Sequence, residues 1–282
     1  REEQRLLLSS SPKIKFFNNN YLFQLFFDKY KTYLKLKSFS IPTVIVPSTN
    51  IKAIKKSIQS LNKIMKNHNN KGDFTADTVI KDQFGAGGNN IYKIKNNQPA
   101  EILKIIKAHK NVSFIMQHFL KFDQGFKFNK LSGLIDIRLI YYKGKLIQTY
   151  IRTAKRKDFR CNEHQGGELI YISKKEIPQK VLDLSSKVIK VLKRKSSLFA
   201  LDYIVTNHNN VYLLEGNTGP GIDWDLSKTI NEKRAKLFIR TIVKGLAQNI
   251  NKTKGRLYTS KLRINFQVDS LFIPEQNPVS LV

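Results

Sequence analysis

The sequence predicts an α+β fold in which short strands pair as antiparallel hairpins and amphipathic helices lie between the pairs. Residues 201–206 and 211–216 are rich in β-branched and aromatic side chains, and they flank the turn material Asn207-His208-Asn209-Asn210. Two more pairs of such runs follow the same rule: 78–81 with 91–95 around a glycine-rich loop, and 133–142 with 145–152 around Lys143-Gly144. Apolar residues recur at helical spacing over 51–64, 99–109, 178–195 and 231–251.

The elements follow in order. Residues 1–20 lack periodicity and end in three Asn, so residues 1–27 read as a lead-in. Residues 28–39 (DKYKTYLKLKSF) fit a helix stopped by Ser40-Ile41-Pro42, with a strand starting at Thr43. Thr49 or Asn50 can cap the next helix, which carries Ile51, Ile54, Ile58, Leu61 and Ile64 on one face. Pro99 opens a helix with Ile102, Ile105 and Ile106 on one side. An apolar strand at 113–120 precedes a basic, aromatic insertion at 121–131. Asp136 and Arg138 share one face of the strand that follows. The helix at 178–195 turns Val181, Leu184, Val188, Val191 and Leu192 inward. Residues 252–282 form a tail with one strand at 262–268.

With 282 residues, 41% hydrophobic and 11% aromatic, the chain can build two or three lobes with sizeable cores and is not disordered. No uncharged run of apolar residues is long enough for a membrane span, and Leu6-Leu7-Leu8 is too short for a signal sequence. The single Cys161 excludes an intrachain disulfide and points to a reducing, cytoplasmic setting. Residue 1 is Arg, so the natural start is expected upstream. The net charge of +29 suits a polyanionic partner such as nucleic acid. Lys, Asn and Ile are abundant throughout, however, and a compositional bias with lysines on solvated helix faces explains the charge better. Repeats, zinc-spaced Cys/His clusters and a Gly-x-Ser-x-Gly nucleophile motif are all absent from the sequence.

Three constellations carry chemistry. A turn centred on His208 and Asn209 sets Asp202 directly opposite Glu215, with Asn217 on the same face. Facing carboxylates repel, so a positive group is expected between them, and three oxygen donors suit Mg²⁺. The alternative is an Asp202 that points to water and a Glu215 that merely ends a strand. Lys81 ends a strand that runs into QFGAGGNN, a hairpin that can lay backbone N–H groups and one lysine over phosphates, or is an ordinary hairpin tip. It is not a Walker loop, because no Gly-Lys-Ser/Thr opens a helix. The irregular run 152–167 holds Arg152, Lys155, Arg160, Asn162 and His164, either an anion-binding set or a solvated basic loop.

Taken in order, the passages DKYKTYLKLKSFSIPT, VIKDQFGAGGNNIYKI, FIMQHFL, DIRLIYYKGKLI, AKRKDFRCNEHQGG and FALDYIVTNHNNVYLLEGNTGPG resemble the ATP-grasp superfamily. The closest likeness is to its ribosomal-protein glutamate ligase-like carboxylate–amine ligases. The resemblance implies two α/β lobes with mainly antiparallel sheets that grip ATP between them: 28–115 with the glycine hairpin, and 116–251 with the metal site. It implies that Lys29 and Lys81 reach the ATP phosphates, and that Gly85, Ala86, Gly87 and Gly88 form a loop over them. Gln117, His118, Phe119 and Leu120 would hold adenine, mostly through backbone groups, and Asp136 would lie beside the nucleotide. Arg160 and Arg152 would be the catalytic cations, steadying the transferring phosphoryl group or a substrate carboxylate. Asp202, Glu215 and Asn217 would hold Mg²⁺, typically two ions, with Mn²⁺ as an alternative. Gly219-Pro220-Gly221 would floor a substrate site.

The implied activity is ADP-forming ligation of a carboxylate to an amine through an acyl-phosphate, such as addition of glutamate or another amino acid to a peptide or protein. A nucleotide-binding module without turnover, or a basic nucleic-acid-binding protein on the same fold, are the alternatives; membrane partners are not expected and oligomeric state is left open. The sequence departs from the family pattern at several points. Asn90 stands where a further Gly is usual, His118 where Glu is usual, and Gly216 where Val is more common. The insertion at 121–131 is long and is expected to carry specificity. An N-terminal α/β domain usually precedes the grasp, and only the lead-in stands before Lys29 here.

Overall fold

The computed structural model of the chain describes residues 17–47, 50–129, 131, 133–193, 197–221 and 229–254. It divides into two compact units, the first ending at Ala235 and the second starting at Lys236. Both sheets lie in the first unit.

The first sheet has four antiparallel strands in the order β1-β4-β2-β3: β1 Thr43–Val46, β2 Phe74–Asp82, β3 Ile91–Ile94 and β4 Phe114–Leu120. The lobe boundary expected at 115/116 therefore falls inside a strand of this sheet. Ile51–Lys66 is helical because Asn50 caps it, its side chain accepting from Lys52 N–H at 2.7 Å, and because Ile54, Leu61 and Met65 repeat on one buried face. Pro99–Ala108 buries Ile102 and Ile106 in the same way. These two helices pack Ile54, Leu61, Ile102 and Ile106 onto Ile80, Ile94, Phe114 and Met116 of the sheet.

The second sheet has five antiparallel strands in the order β7-β6-β5-β8-β9: β5 Ile135–Tyr142, β6 Lys145–Thr153, β7 Glu168–Tyr171, β8 Leu198–Val205 and β9 Val211–Asn217. The helix Gln179–Leu192 covers it with Val181, Val188 and Leu192. So does α1, Asn20–Phe27, which corrects the reading of residues 1–27 as lead-in throughout. Asn19 caps α1, and Leu22, Leu25 and Phe26 are buried in the core beside Leu201 and Leu213. Residues 1–16 lie outside the described residues, as does the strand expected at 262–268. α2, Lys29–Lys35, follows directly and is capped by Asp28.

A smaller cluster containing Ile41, Phe74, Leu120, Phe122, Ile204 and Tyr212 joins the two sheets. Beside it, buried Asp73 accepts hydrogen bonds from Thr206 Oγ1 at 2.9 Å, Tyr212 Oη at 3.0 Å and Asn210 Nδ2 at 3.0 Å, and pairs with His208 Nδ1 at 2.9 Å. The β8–β9 turn is thus tied to the first sheet. The insertion at 121–131 docks on this turn through Asn207 and Asp123 rather than hanging free.

Asp202 does pair with Glu215, but by a route the turn does not predict. Val205 pairs with Val211 and Tyr203 with Leu213, a register one residue short of the expected one. A bulge between Asp202 and Tyr203 leaves Leu214 extra on β9 and restores the pairing.

Candidate active site

A cavity opens between the two sheets. Lys29, Lys81, Gly85, Gly87, Gly88 and Gln117 line it on one side, and Asp136, Arg152, Arg160 and Glu215 on the other. Every expected nucleotide-side residue borders it, including Ala86, His118, Phe119 and Leu120. Asp202 and Asn217 do not: Asp202 is buried in the sheet beneath, and Asn217 borders a second, adjoining cavity.

Lys81 sits on β2 between Ile91 and Ile115 and is 5% exposed. Burial lowers its ammonium to about 8; Glu215 pulls the other way and Lys29 adds to the lowering. Lys29 opens α2, where Asp28 Oδ1 accepts from Tyr30 N–H at 2.9 Å and Lys31 N–H at 3.1 Å. Gln83 locks this helix end to the end of β2, donating to Asp28 Oδ1 at 2.8 Å and accepting from Lys29 N–H at 3.0 Å. The Lys29 ammonium donates to the Gly85 carbonyl. Both lysines are therefore held at the root of the glycine hairpin.

The hairpin needs its left-handed residues. Gly87 has φ of +68° and Gly88 of +78°, and Asn90 adopts 52°, which is how Asn serves where Gly is usual. A Cβ on Gly88 would lie 2.8 Å from Gln165 Cγ and 2.9 Å from Asn162 Oδ1. The loop rests on the basic run: Arg160 Nη1 donates to Gly88 O at 3.3 Å and Gln165 Nε2 to Gly87 O at 3.2 Å. Asp158, which the sequence did not single out, aims Arg160 through a paired contact of 3.1 and 2.8 Å, and the guanidinium holds that carboxyl down at about 2.

On the opposite face, register brings Glu215, Asp202, Arg138 and Tyr150 side by side across β9, β8, β5 and β6. Arg138 grips Asp202 with Nε at 2.6 Å and Nη2 at 2.5 Å, and Nη2 lies 3.9 Å from Glu215. Its Nη1 donates to Tyr150 Oη at 3.1 Å. Arg152 holds Asp136 at 2.9 and 2.7 Å and adds a 2.8 Å bond to Asp202. Burial works to raise the Asp202 carboxyl, but the two guanidiniums outweigh it and hold the group below its usual value. Burial, reinforced by the Asp202 charge, pushes Asp136 up against the pull of Arg152.

The positive group expected between the facing acids is thus Arg138. Among the described residues, no three His, Cys, Asp or Glu are arranged as a metal site. The oxygen donors nevertheless suit a hard divalent ion. Asp202 Oδ1 accepts one hydrogen bond, so it keeps a lone pair. The Glu215 carboxylate is half-buried at the cavity edge, and the Asn217 carbonyl accepts from Gly219 N–H at 2.8 Å. Glu215 is the one of the three that borders the nucleotide cavity, while Asp202 is engaged by Arg138 and Arg152.

The adenine-side expectation rests on backbone groups, and two of the four side chains have partners of their own. Gln117 donates to Thr43 Oγ1 at 2.7 Å, and His118 pairs with Asn62 Oδ1 at 3.1 Å, so both side chains are engaged within the protein. Phe119, Leu120, Phe122 and Ile204 supply the apolar wall. Lys93 caps the Phe119 ring at 3.7 Å, and Phe159 meets that ring edge-on.

Two antiparallel sheets that face each other across a cavity, lysines and a glycine hairpin on one side and acids and arginines on the other, define the ATP-grasp class. Residues 28–242 match the RimK-like ATP-grasp domain, and the chain belongs to that family. It is 28% identical over 185 residues to a probable alpha-L-glutamate ligase of Vibrio vulnificus strain YJ016, covering 64% of this chain and 55% of that protein. The chain thus spans about half the length of the curated relatives it matches. Its fold is shared with D-cycloserine synthetase, with a TM-score of 0.56 and 12% identity over 86% of this chain and 80% of the other. It is also shared with an ATP-grasp ligase, PsnB, solved with a phosphomimetic variant of its minimal precursor, Mg and ADP: TM-score 0.54 and 13% identity over 87% of this chain and 68% of the other. Among the described residues no helix is long and apolar enough to cross a membrane.

Proposed function

We propose that the cleft binds ATP with Mg²⁺ and that the chain joins a carboxylate to an amine, forming ADP, phosphate and an amide. The observation that carries this is Arg152. It is 4% exposed, its Nε and Nη2 are committed to Asp136 and Asp202, and its Nη1 has no hydrogen-bond partner among the described residues. A fixed guanidinium with a free donor group, lining both cavities, is a preorganised seat for charge that develops on a transferring phosphoryl group.

In this reading adenine lies along Phe119 and Leu120, and the phosphates meet Lys29, Lys81 and the N–H groups of Gly87 and Gly88. Asp136 orients Arg152, and Asp158 orients Arg160. A substrate carboxylate oxygen attacks the γ-phosphorus; the bond to the β-bridging oxygen breaks and ADP leaves with the electron pair. Arg152 and Arg160 balance the charge on the γ-oxygens. An amine then attacks the acyl carbon, phosphate departs, and the amine gives up a proton. Glu215, Asn217 and the spare lone pair of Asp202 would hold the metal, one ion or two, Mg²⁺ or Mn²⁺. The ion supplies further neutralisation of phosphate charge. β1–β4 with Lys29 and the hairpin act as the nucleotide lobe, and β5–β9 as the acid lobe. By likeness to the glutamate ligases, the amine is an amino acid such as glutamate and the carboxylate ends a peptide or protein. The buried Cys161 thiol, in no disulfide and pushed up by burial, suits a reducing cytoplasm.

The test is an ADP-release screen with MgATP, glutamate and other amino acids as amines, and short peptides as carboxylates, with mass spectrometry of the products. The expected result is one ADP for each amide formed. Tight MgATP binding with no turnover of any mixture would instead mean a nucleotide-binding module.

A further inference from the structure

The second cavity, of about 370 Å³, adjoins the nucleotide cavity and shares Lys29, Gly85, Arg152 and Glu215 with it. Its two sides differ in chemistry. One is made of Arg138, Tyr150 and Arg152, all buried. The other is a wall of aromatic rings: Phe23 and Phe27 of α1 stack at 5.8 Å between centroids, and Phe27 meets Phe84 of the glycine hairpin at 5.4 Å. Phe27 is 39% exposed and Phe84 41%, so these rings present apolar surface to the cavity mouth.

The α1 part of the wall is fixed in place. The α1 sequence NYLFQLFF contains no charged residue. Phe26, between the wall residues, packs its ring against Gly216, where a Cβ would lie 2.4 Å from ring carbons. A glycine between Glu215 and Asn217 therefore lets the aromatic helix lie against the acid strand. The departure at Gly216 and the aromatic helix are two halves of one arrangement.

We propose that this cavity seats the carboxylate substrate, and that Phe23, Phe27 and Phe84 select one whose carboxylate stands next to an apolar or aromatic side chain. The inference rests on the ligase reading and adds the substrate class. The carboxylate belongs at the shared edge, where Arg152, with its free Nη1, and the phosphate-side groups Lys29 and Gly85–Gly87 line both cavities. The body of the substrate then lies along the three rings. A single methylene in an apolar pocket discriminates by roughly 10–200-fold, and a side chain laid along three rings makes more contact than that.

The test is calorimetric titration of the full chain, loaded with MgADP, with N-acetyl-L-phenylalanine, N-acetyl-L-alanine and N-acetyl-L-glutamate. Wild type is expected to bind the phenylalanine derivative at least about tenfold more tightly than the other two. Phe84→Ser, on the exposed hairpin, and Phe27→Asp should each erase most of that preference while MgADP binding persists. Equal or tighter binding of the glutamate derivative, no binding of any of the three, or a preference unchanged in both variants overturns the substrate class. Absence of MgADP and MgATP binding in wild type would overturn the ligase reading itself, and the two failures are distinguished by that control.

Discussion

Gly216→Ala should destabilise the protein through one contact. The added Cβ would lie 2.4 Å from Phe26 Cδ1 and Cε1 and 2.6 Å from Cζ, well inside van der Waals distance. The ring cannot easily retreat, because Phe26 is 6% exposed and packs in the core with Leu22, Leu25 and Phe199. No left-handed backbone is involved at Gly216, so the cost is purely steric. Overpacking of this kind costs about 1–3 kcal/mol. At about 2–4 °C per kcal/mol for a chain of this size, melting should fall by several degrees. Phe26→Ala alone opens a cavity at a cost of about 3–5 kcal/mol. The double variant relieves the clash, so its loss should be smaller than the sum of the single losses by about 1–3 kcal/mol. Circular dichroism melts and urea titrations of the four proteins measure this. A Gly216→Ala melt within about 1 °C of wild type, or strictly additive losses, would refute the reasoning.

Lys81 predicts a pH dependence of two opposite signs. Its folded value of about 8 lies below the unfolded value of roughly 10.4, so between these pH values the unfolded chain binds more protons. The contribution of this group to stability therefore rises with pH across that window, while MgATP affinity falls as the ammonium is lost above about pH 8. Lys81→Met should flatten both profiles; a wild-type affinity that stays level to pH 9.5 (about one and a half units above the Lys81 value) counts against the assignment. Arg160→Ala should cut the rate of ADP formation by roughly 10²–10³ with little change in MgATP affinity, as read by coupled assay and calorimetry. A loss of nucleotide affinity with an unchanged rate would move Arg160 to a purely binding role.

Much of this site could be read along the chain because its parts are local. Lys81 precedes its glycine hairpin directly, and Asn90 could be read as a left-handed residue, which its φ of 52° bears out. The Asp202–Glu215 pairing was expected from a turn centred one step off, and the bulge at Leu214 compensated. Arg138 shows why the rest was hidden. Its position on the face of Asp136 is a matter of alternation, but its grip on Asp202 depends on β5 lying beside β8, a pairing that bridges residues 64 apart. α1 was hidden for a different reason. A helix that is apolar nearly all round carries little amphipathic signal, and its burial depends on Gly216, far along the chain. Charge balance was legible only in part: the sequence called for a cation between the two acids, and the fold supplies one from a neighbouring strand.

The most direct test of the central claim follows one oxygen atom. A peptide labelled with ¹⁸O in its terminal carboxylate is turned over with MgATP and an amino acid, and the released phosphate is examined by mass spectrometry. Attack of the carboxylate on the γ-phosphorus followed by amine displacement transfers one labelled oxygen to each phosphate, with ADP unlabelled. Phosphate without label, or AMP in place of ADP, would contradict the account.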